Sequence, residues 1–239
     1  LTDDVKVITL GSEDFIANVV AEEGGSFGDI YVRGFERNEN GDILIGSNGL
    51  PKLTSKKTVK VGNSTPDWSG GWSNTFRYKN LSLNVLIDTK QGGKIVSFTD
   101  AVLTGYGLTA KTLAGREGGI VVPGVLDNGE RNTKEINSEA LWTALGGRNN
   151  PVGEVFVYDA SFIRLKEISL SYSFPKSVLG KLPISGLSVG VYGKNLCFLQ
   201  NKAGIFDPEM TVGTGNNQAL EAFSLPSTRT FGLNLNVSF

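Results

Sequence analysis

The sequence predicts an all-β protein, namely a run of antiparallel strands from the C-terminal part of a larger transmembrane β-barrel with long extracellular loops. Three observations predict this fold class. The chain ends in a strand of strict apolar–polar alternation, the same alternation recurs upstream, and the connections between strands are alternately short and long. The 239 residues include 31 glycines and 9% aromatic residues, a composition that suits strands and turns better than helices.

The last strand carries the clearest pattern. From Phe231 to Phe239, odd positions are apolar and even positions are Gly, Asn or Ser. Alternation with a period of two indicates a strand with one apolar and one polar face. Its length matches the roughly 9–11 residues of a tilted strand that crosses a bilayer, whereas soluble strands average about 5–6 residues.

Four further segments alternate in the same way: 71–79, 81–89, 160–174 and 187–195. Their polar faces are mainly Ser, Gly and Asn, whereas the outward face of a soluble β-sandwich usually carries Lys, Glu and Thr. Their apolar faces end in aromatic residues, as in the interfacial girdle of a membrane barrel. These aromatic residues are Tyr78, Tyr172, Phe174 and, in the last strand, Phe239.

The lengths of the connections indicate which side of the membrane each one occupies. Short turns, such as Lys79-Asn80, are typical of the periplasmic side of a barrel and long loops of the extracellular side. The whole chain, 1–239, is expected to be one barrel portion. The expected layout is a strand end and an extracellular loop with a hairpin over 1–70, two strands over 71–89, an extracellular loop over 90–158, two strands over 159–195, an extracellular loop over 196–227 and the last strand over 228–239.

The long loops contain local signals of their own. Asn40-Gly41 lies between the apolar runs 30–32 and 43–45, which predicts a β-hairpin. Residues 5–8 predict the upper end of a further barrel strand. The helix signals are Asn137 as the cap of a helix over 138–145 that Gly146 ends, and Thr109 as the cap of a second helix that ends near Gly115.

The number of strands is too small for a closed barrel. Open sheet edges would leave backbone N–H and C=O groups unpaired in hydrocarbon, and the smallest bacterial barrels have about eight strands. We therefore expect the remaining strands to lie outside this chain.

The composition excludes several classes of function. The chain has no histidine, which removes the commonest general base and metal ligand, so Ser-His-Asp or Cys-His catalysis cannot occur within it. Its single cysteine, Cys197, allows no internal disulfide. The net charge of −1 gives no electrostatic footprint for nucleic acid. We expect no enzymatic activity, no metal and no cofactor.

Several stretches resemble the SusC/RagA family of TonB-dependent outer-membrane transporters. The longest runs from Tyr158 to Pro175 and reads YDASFIRLKEISLSYSFP. The others are 66–68, 78–80, 86–88, 115–118, 193–196, 206–209 and 226–239. The resemblance covers most of the chain after about Gly28, and its motifs are specific when taken together.

The resemblance implies a barrel of about 22 strands whose lumen is filled by an N-terminal plug. It also implies a TonB-contacting segment before the plug and a SusD-like surface lipoprotein that covers the barrel as a lid. The implied function is import of oligosaccharides or oligopeptides across the cell outer membrane, with membrane lipid around the barrel. Phe239 would be the end that the barrel-assembly machinery recognises.

Five residues are candidate substrate contacts. Trp68 offers an aromatic face that suits a sugar ring or a peptide, and Asp67 lies next to it. Asp88 and Lys90 share the polar face of their strand and are expected to point into the lumen. Arg116 lies in the second long loop, and binding residues favour loops on rigid scaffolds.

Three other residues carry structural expectations. Trp72 is expected to anchor a strand at the membrane interface, and Trp142 to pack a short helix onto its loop. The alternation places Arg164 outward, unless a β-bulge near Lys166 resets the register.

Two other functions fit parts of the sequence. A soluble β-sandwich binding module or adhesin would need Lys and Glu on its outer faces. A surface glycan hydrolase would need two carboxyl groups at a fixed separation, one with a raised pKa. Its candidates are Glu117, Asp127, Glu130, Glu135 and Glu139. Residues 38–42 are rich in oxygen ligands but lack the spacing of a calcium loop, so a polar hairpin tip is expected there.

Overall fold

The computed structural model of the protein describes residues 6–12, 16–180, 183–213 and 215–239. Two compact units are distinguished. The loop unit comprises Leu1–Thr65, Gly93–Asp159 and Met210–Ser224, and the sheet unit comprises Pro66–Gly92, Ala160–Glu209 and Leu225–Phe239.

The strands are β1 (Val7–Ser12), β2 (Ala17–Glu22), β3 (Asp29–Val32), β4 (Val59–Asn63), β5 (Trp68–Tyr78), β6 (Leu81–Gln91), β7 (Lys94–Ser97), β8 (Ile120–Val121), β9 (Glu135–Ile136), β10 (Val157–Asp159), β11 (Phe162–Ser173), β12 (Gly186–Asn201), β13 (Leu220–Glu221) and β14 (Thr230–Ser238). The α-helices are α1 (Phe98–Gly105), α2 (Ser138–Leu145) and α3 (Lys176–Leu179). Among the described residues, none of these helices is long and apolar enough to cross a membrane.

The sheet unit is built on one antiparallel sheet in the strand order β14-β12-β11-β6-β5. All five strands are ones that the alternation predicts. Their lengths run from 9 residues in β14 to 16 in β12, longer than typical soluble strands. The predicted fold class, a segment of an antiparallel β-barrel, is confirmed. Within the described residues the sheet is open, since its outermost strands β5 and β14 do not pair with each other.

The register aligns apolar side chains across the whole sheet. Directly opposed residues on neighbouring antiparallel strands share a face. One such row consists of Phe76, Leu83, Leu170, Val191 and Leu233, which are opposed in turn. The neighbouring row on the opposite face consists of Arg77, Ser82, Ser171, Gly190 and Asn234. The sheet therefore has one apolar face and one polar face.

The apolar face is open to the surroundings. In β14, Phe231, Leu233 and Leu235 are 71%, 81% and 64% exposed. A soluble monomer rarely exposes a contiguous apolar patch of this kind. No second sheet covers this row within the sheet unit, so the β-sandwich interpretation has no support from the described residues.

A β-bulge in β11 decides the orientation of Arg164. The register of β11 against β6 shifts between Leu165 and Glu167, so Lys166 is an extra residue in the strand. This reverses the alternation upstream of the bulge and places Arg164 opposite Asp88, on the polar face. The outward orientation of Arg164 is therefore wrong, and the bulge alternative is confirmed.

The loop unit contains three small sheets, in the orders β1-β2-β3-β4, β10-β7-β13 and β8-β9. Two apolar clusters hold it together. The first includes Ile30, Val32, Val96 and Phe156, each at most 1% exposed. The second includes Ile45, Val122, Leu141, Leu145 and Val152.

Two strand predictions fail in the loop unit. The strand near residue 8 begins at Val7 and pairs with β2, so it belongs to the four-stranded sheet and not to the barrel sheet. Residues 1–5 lie outside the described residues. The run 30–32 pairs with β2 and β4 instead of with 43–45. Burial of Ile30 and Val32 in the first cluster outweighs the local preference for a hairpin.

The turn at Asn40-Gly41 itself is present. Gly41 has a φ of 87°, which favours glycine, and the backbone bridges Arg37 to Ile43 across the turn. The side-chain oxygen of Asn38 accepts hydrogen bonds from the N–H groups of Asn40 and Asp42. These bonds agree with the expected polar hairpin tip.

The helix signal at Asn137 in the second long loop is confirmed, whereas the one at Thr109 is wrong. The side chain of Asn137 accepts a hydrogen bond from the N–H of Glu139 at the start of α2, and Gly146 ends the helix. Thr109 precedes only a short 3-10 turn, Ala110–Leu113, and makes no side-chain cap bond to it. Trp142 is half-buried against the second apolar cluster, as expected.

Candidate functional site

The loop unit contains a groove with a volume of about 730 Å³. Ligand pockets commonly have volumes of about 300–1,000 Å³. Its walls come from the C-terminal end of α1, the 3-10 turn Ala110–Leu113 and the first turns of α2. Its side chains include two aromatic residues, Tyr106 and Trp142, and two charged residues, Arg116 and Glu139.

Glycines bring the two helices that frame the groove into backbone contact. The N–H of Gly147 donates to the carbonyl of Ala101 at 2.8 Å. A Cβ atom on Gly105 would lie only 2.2 Å from the backbone N of Gly147, and one on Gly146 would lie 2.6 Å from the carbonyl oxygen of Ala101. Only glycine fits at these two positions without a shift of the backbone.

The start of α2 is bonded to the 3-10 turn. The buried hydroxyl of Ser138 donates to the carbonyl of Ala114 at 2.8 Å, with a longer contact to the carbonyl of Thr112. Thr112 is itself buried and donates to the carbonyl of Thr109 at 2.7 Å. These bonds fix the shape of the groove before any ligand binds.

The guanidinium group of Arg116 is held in place by its own turn. Its Nε donates to the carbonyl of Thr112 at 3.0 Å, and its Nη2 donates to the Thr112 hydroxyl at 2.7 Å and to the carbonyl of Gly107. Gly107 has a φ of 72°, and a Cβ atom there would lie 3.4 Å from Nη2. No described residue engages Nη1, so this side of the guanidinium can donate two hydrogen bonds to a ligand.

The aromatic pair gives the groove an apolar surface. Tyr106 follows α1 and is 65% exposed. Trp142 is half-buried, and its indole N–H is buried without a hydrogen-bond partner among the described residues. Chemically, the groove offers aromatic faces, N–H donors and one carboxylate.

The sheet unit contains a different cluster, centred on Arg164, which is 3% exposed. Its Nη2 donates to Asp207 Oδ1 at 2.6 Å, and its Nη1 lies 3.0 Å from Glu209 Oε2 and 3.1 Å from Ser227 Oγ. The guanidinium also lies 4.2 Å from the centre of the Phe198 ring. Its Nε is buried and has no hydrogen-bond partner among the residues that the structure describes. The cluster joins β11 to the segments after β12 and before β14.

Asp207 is charged in this cluster. Burial raises the pKa of its carboxyl group, but hydrogen bonds from Ser227 and from the N–H of Glu209, together with the charge of Arg164, hold the pKa below its ordinary value of 3.8. The ion pair therefore persists throughout the physiological pH range.

The sequence did not predict the partners of Arg164. Asp207 and Glu209 belong to the motif 206–209, and Ser227 to the motif 226–239, both of which were singled out by resemblance alone. One signal was available: Arg164 stands among the apolar residues Phe162, Ile163 and Leu165, and an arginine that is buried there requires a partner of opposite charge.

Four of the five candidate substrate contacts lie in the sheet unit. Asp88 is on the polar face and pairs with Lys166 at 2.8 Å. Lys90 is opposed to Phe162 and shares that polar face. Trp68 is 56% exposed, but the register places it on the apolar face, in line with Trp72.

The other two candidates make local contacts. The N–H of Asp67 donates to the carbonyl of Gln91, and its carboxylate lies over Gly92, where a Cβ atom would be 2.3 Å from Oδ2. Arg116 lies in the loop unit, in the groove described above. The structure thus divides the five residues between the two units.

The carboxylates considered for glycan hydrolysis do not form an evident pair. Asp127 is bound to Lys52 at 2.6 Å, and Glu130 accepts a hydrogen bond from Asn128 at 2.8 Å. Among the described residues there is also no group of three side chains that could hold a metal ion.

Comparison with known proteins identifies similar sequences. No family model matches the chain. It is 29% identical over 225 residues to TonB-dependent receptor P3 of Formosa agariphila, 28% over 208 residues to TonB-dependent receptor P26 and 25% over 206 residues to TonB-dependent receptor P39 of the same organism. These alignments cover 91%, 84% and 85% of the chain, but only 21%, 19% and 18% of the relatives. The chain spans about a fifth of the length of the curated relatives it matches.

Solved structures of the RagAB peptide importer share its fold. The TM-score is 0.60 for the open-open state at 18% identity and 0.59 for the closed-closed state at 19% identity. Each comparison covers the whole of this chain and 25% of the solved chain. The similar proteins are receptors and an importer, not enzymes, in agreement with the expectation of no catalysis. The resemblance to TonB-dependent receptors, which the motifs predicted, is therefore confirmed, and the fold is the one that the RagAB importer shares.

Proposed function

We propose that this chain forms part of the barrel of a TonB-dependent importer that carries oligosaccharides or oligopeptides across the outer membrane. The main support for the proposal is the apolar row across five long strands, from Phe76 to Leu233, together with the polar row on the opposite face of the sheet. In the proposal the apolar row faces lipid and the polar face lines the lumen.

The relatives support the active mechanism. The curated relatives are named TonB-dependent receptors, and the structural neighbours are named as a peptide importer. Because the chain corresponds to about a fifth of these receptors, the plug, the contact with TonB and the SusD-like lipoprotein belong to the proposal for the whole protein. Energy from the inner membrane would remodel the plug and release the cargo inward.

The residues proposed to contact the cargo are Trp68, Asp67, Asp88, Lys90 and Arg116. Asp88 and Lys90 have the best support in the sheet, since both lie on the polar face. Trp68 has the weakest support, since its register is that of the apolar face.

The proposal is tested with the full-length receptor in its own cells. Uptake of fluorescent oligopeptides and oligosaccharides is measured with TonB present and with TonB deleted, and the receptor is assayed in membrane and soluble fractions. We expect the receptor in the outer membrane and uptake of one cargo class that stops without TonB. A receptor found in the soluble fraction, or uptake that continues without TonB, would contradict the proposal.

A further inference from the structure

We propose that the groove of the loop unit binds an acidic oligopeptide, with a peptide carboxylate on Arg116 and a neighbouring apolar side chain against Tyr106 and Trp142. This inference rests on the proposed import function, because it names the class of cargo and the place where it binds. It adds a binding site to a part of the chain outside the barrel sheet.

The first argument is the state of Arg116. Its Nε and Nη2 are bound to Thr112 and Gly107, which removes most of the freedom of the side chain. The free Nη1 N–H groups are therefore fixed in direction. A fixed guanidinium that keeps two donors suits a carboxylate, and such charge-assisted hydrogen bonds are stronger than neutral ones.

The second argument is that several polar groups of the groove already form hydrogen bonds within the protein. The side-chain oxygen of Asn137 caps α2, the Ser138 hydroxyl donates to backbone carbonyls, and the Thr112 hydroxyl is bonded within its turn. The groups left without a partner among the described residues include Nη1 of Arg116 and the carboxylate of Glu139, which favours a charged ligand.

The third argument is the pairing of opposite charges with aromatic faces. Glu139 can accept from backbone N–H groups or from a basic side chain of the ligand, while Arg116 binds its carboxylate. Tyr106 and Trp142 line the groove and provide amphipathic surfaces against which an apolar side chain can pack. Among polymeric nutrients, a peptide combines all of these features.

The fourth argument is the rigidity of the groove. The close backbone contact of Gly105 with Gly147 and the bonds of Ser138 hold its walls together without a ligand. A preformed site loses less conformational freedom on binding than a flexible one.

The binding experiment uses the purified full-length receptor and calorimetric titration. The probe is an acetylated and amidated pentapeptide, Gly-Phe-Asp-Gly-Gly, compared with the same peptide carrying Asn in place of Asp. We expect the Asp peptide to bind about tenfold more tightly, the effect of one charge-assisted hydrogen bond. Arg116→Gln should abolish this preference, and the matched control Arg148→Gln, on an exposed arginine outside the groove, should preserve it.

A second variant, Tyr106→Ala, is needed because Arg116→Gln also removes the hydrogen bonds that hold the turn before Arg116. Tyr106 is exposed and lies after the helix, so its removal should leave the fold intact. We expect both peptides to bind several-fold more weakly with the preference for Asp retained. Unchanged binding in both variants would overturn the inference. Binding of an oligouronate, but of neither peptide, in an Arg116-dependent way would also overturn it.

Uptake separates this inference from the function on which it rests. If peptide uptake requires TonB but is unchanged in Arg116→Gln and Tyr106→Ala, the groove is not the peptide site and the import function stands. If the groove binds the Asp peptide as described but no uptake depends on TonB, the import function fails instead.

Discussion

Arg164 illustrates how a single buried charge can hold separate stretches of a chain together. Its guanidinium contacts carboxylates that follow β12 and a hydroxyl that precedes β14, and it lies 5.3 Å from the centre of the Phe162 ring and 4.2 Å from that of Phe198. A buried charge is costly unless it is paired. The segments that carry its partners must therefore stay near β11.

Asp207→Asn should destabilise the full-length receptor by about 3 kcal/mol, because it leaves a buried guanidinium with only Glu209 as a charged partner. Urea titration of the folded receptor measures the loss. The matched control is Lys166→Met, which removes the more exposed pair with Asp88 and should cost less than about 1 kcal/mol. Adding Arg164→Met to Asp207→Asn should recover part of the lost unfolding free energy, because no buried charge then remains unpaired. A further loss of similar size would show that Arg164 and Asp207 do not stabilise the fold as a pair.

The pH dependence of this pair has a definite sign. The folded-state pKa of Asp207 lies below 3.8, so the ionised form contributes its full stabilisation above that value and loses it as the pH falls through the folded-state pKa. We expect the difference between the receptor and Asp207→Asn to be the same at pH 7 and pH 5 and to shrink only below about 3.8. Urea midpoints at several pH values check this. A difference that already shrinks between pH 7 and pH 5 would contradict it.

At the scale of elements, the five-stranded sheet shows how far the alternation of apolar and polar residues predicts strand position and orientation. Period-2 patterning located all five strands, because one apolar face and one polar face persist over their whole length. It left two orientations open for Arg164, because a bulge near Lys166 and a plain charged strand end leave the same mark in the alternation. The register of β11 against both neighbouring strands decides in favour of the bulge.

The assignment of the two faces is tested in β14. Leu235→Arg places a charge on the apolar row and should cost on the order of 2 kcal/mol in a bilayer, lowering the amount of folded receptor. The matched control is Asn234→Arg, whose neighbour on the polar face is Gly190. We expect the control to fold normally. Heat-modifiable mobility on gels and outer-membrane abundance measure both, and equal defects in the two variants would refute the assignment.

The two glycine-rich helix ends are a second element-scale feature. Gly105→Ala brings a Cβ atom to within 2.2 Å of the backbone of Gly147 and should force α1 and α2 apart, at a cost of about 1–3 kcal/mol. Hydrogen exchange of the α1 and α2 amides in the full-length receptor should speed up at least several-fold. Gly213→Ala, where a Cβ atom meets nothing within 4 Å, should leave exchange unchanged. Normal exchange in Gly105→Ala would show that the contact is not tight.

At the scale of the whole molecule, sequence patterns predicted the sheet unit far better than the loop unit. Short segments such as 30–32 and 43–45 carry no period long enough to identify their partners. Their pairing is decided by burial with residues distant in sequence, for example Ile30 with Val96 in one core cluster. The groove was equally out of reach, because Arg116, Tyr106 and Trp142 meet only through the packing of α1 on α2. The helix caps were predictable, since Asn137 acts on its immediate neighbours.

The open edges of the five-stranded sheet have a practical consequence for anyone who produces this polypeptide. Within the part of the chain that the structure describes, the outer edges of β5 and β14 have no strand partner and lie next to the exposed apolar face, a combination that promotes aggregation. Expressed by itself, the segment should collect in inclusion bodies. A split receptor could be reassembled from this segment and a second polypeptide that supplies the remaining strands. Closing that barrel would require new strand pairing at both edges of the sheet.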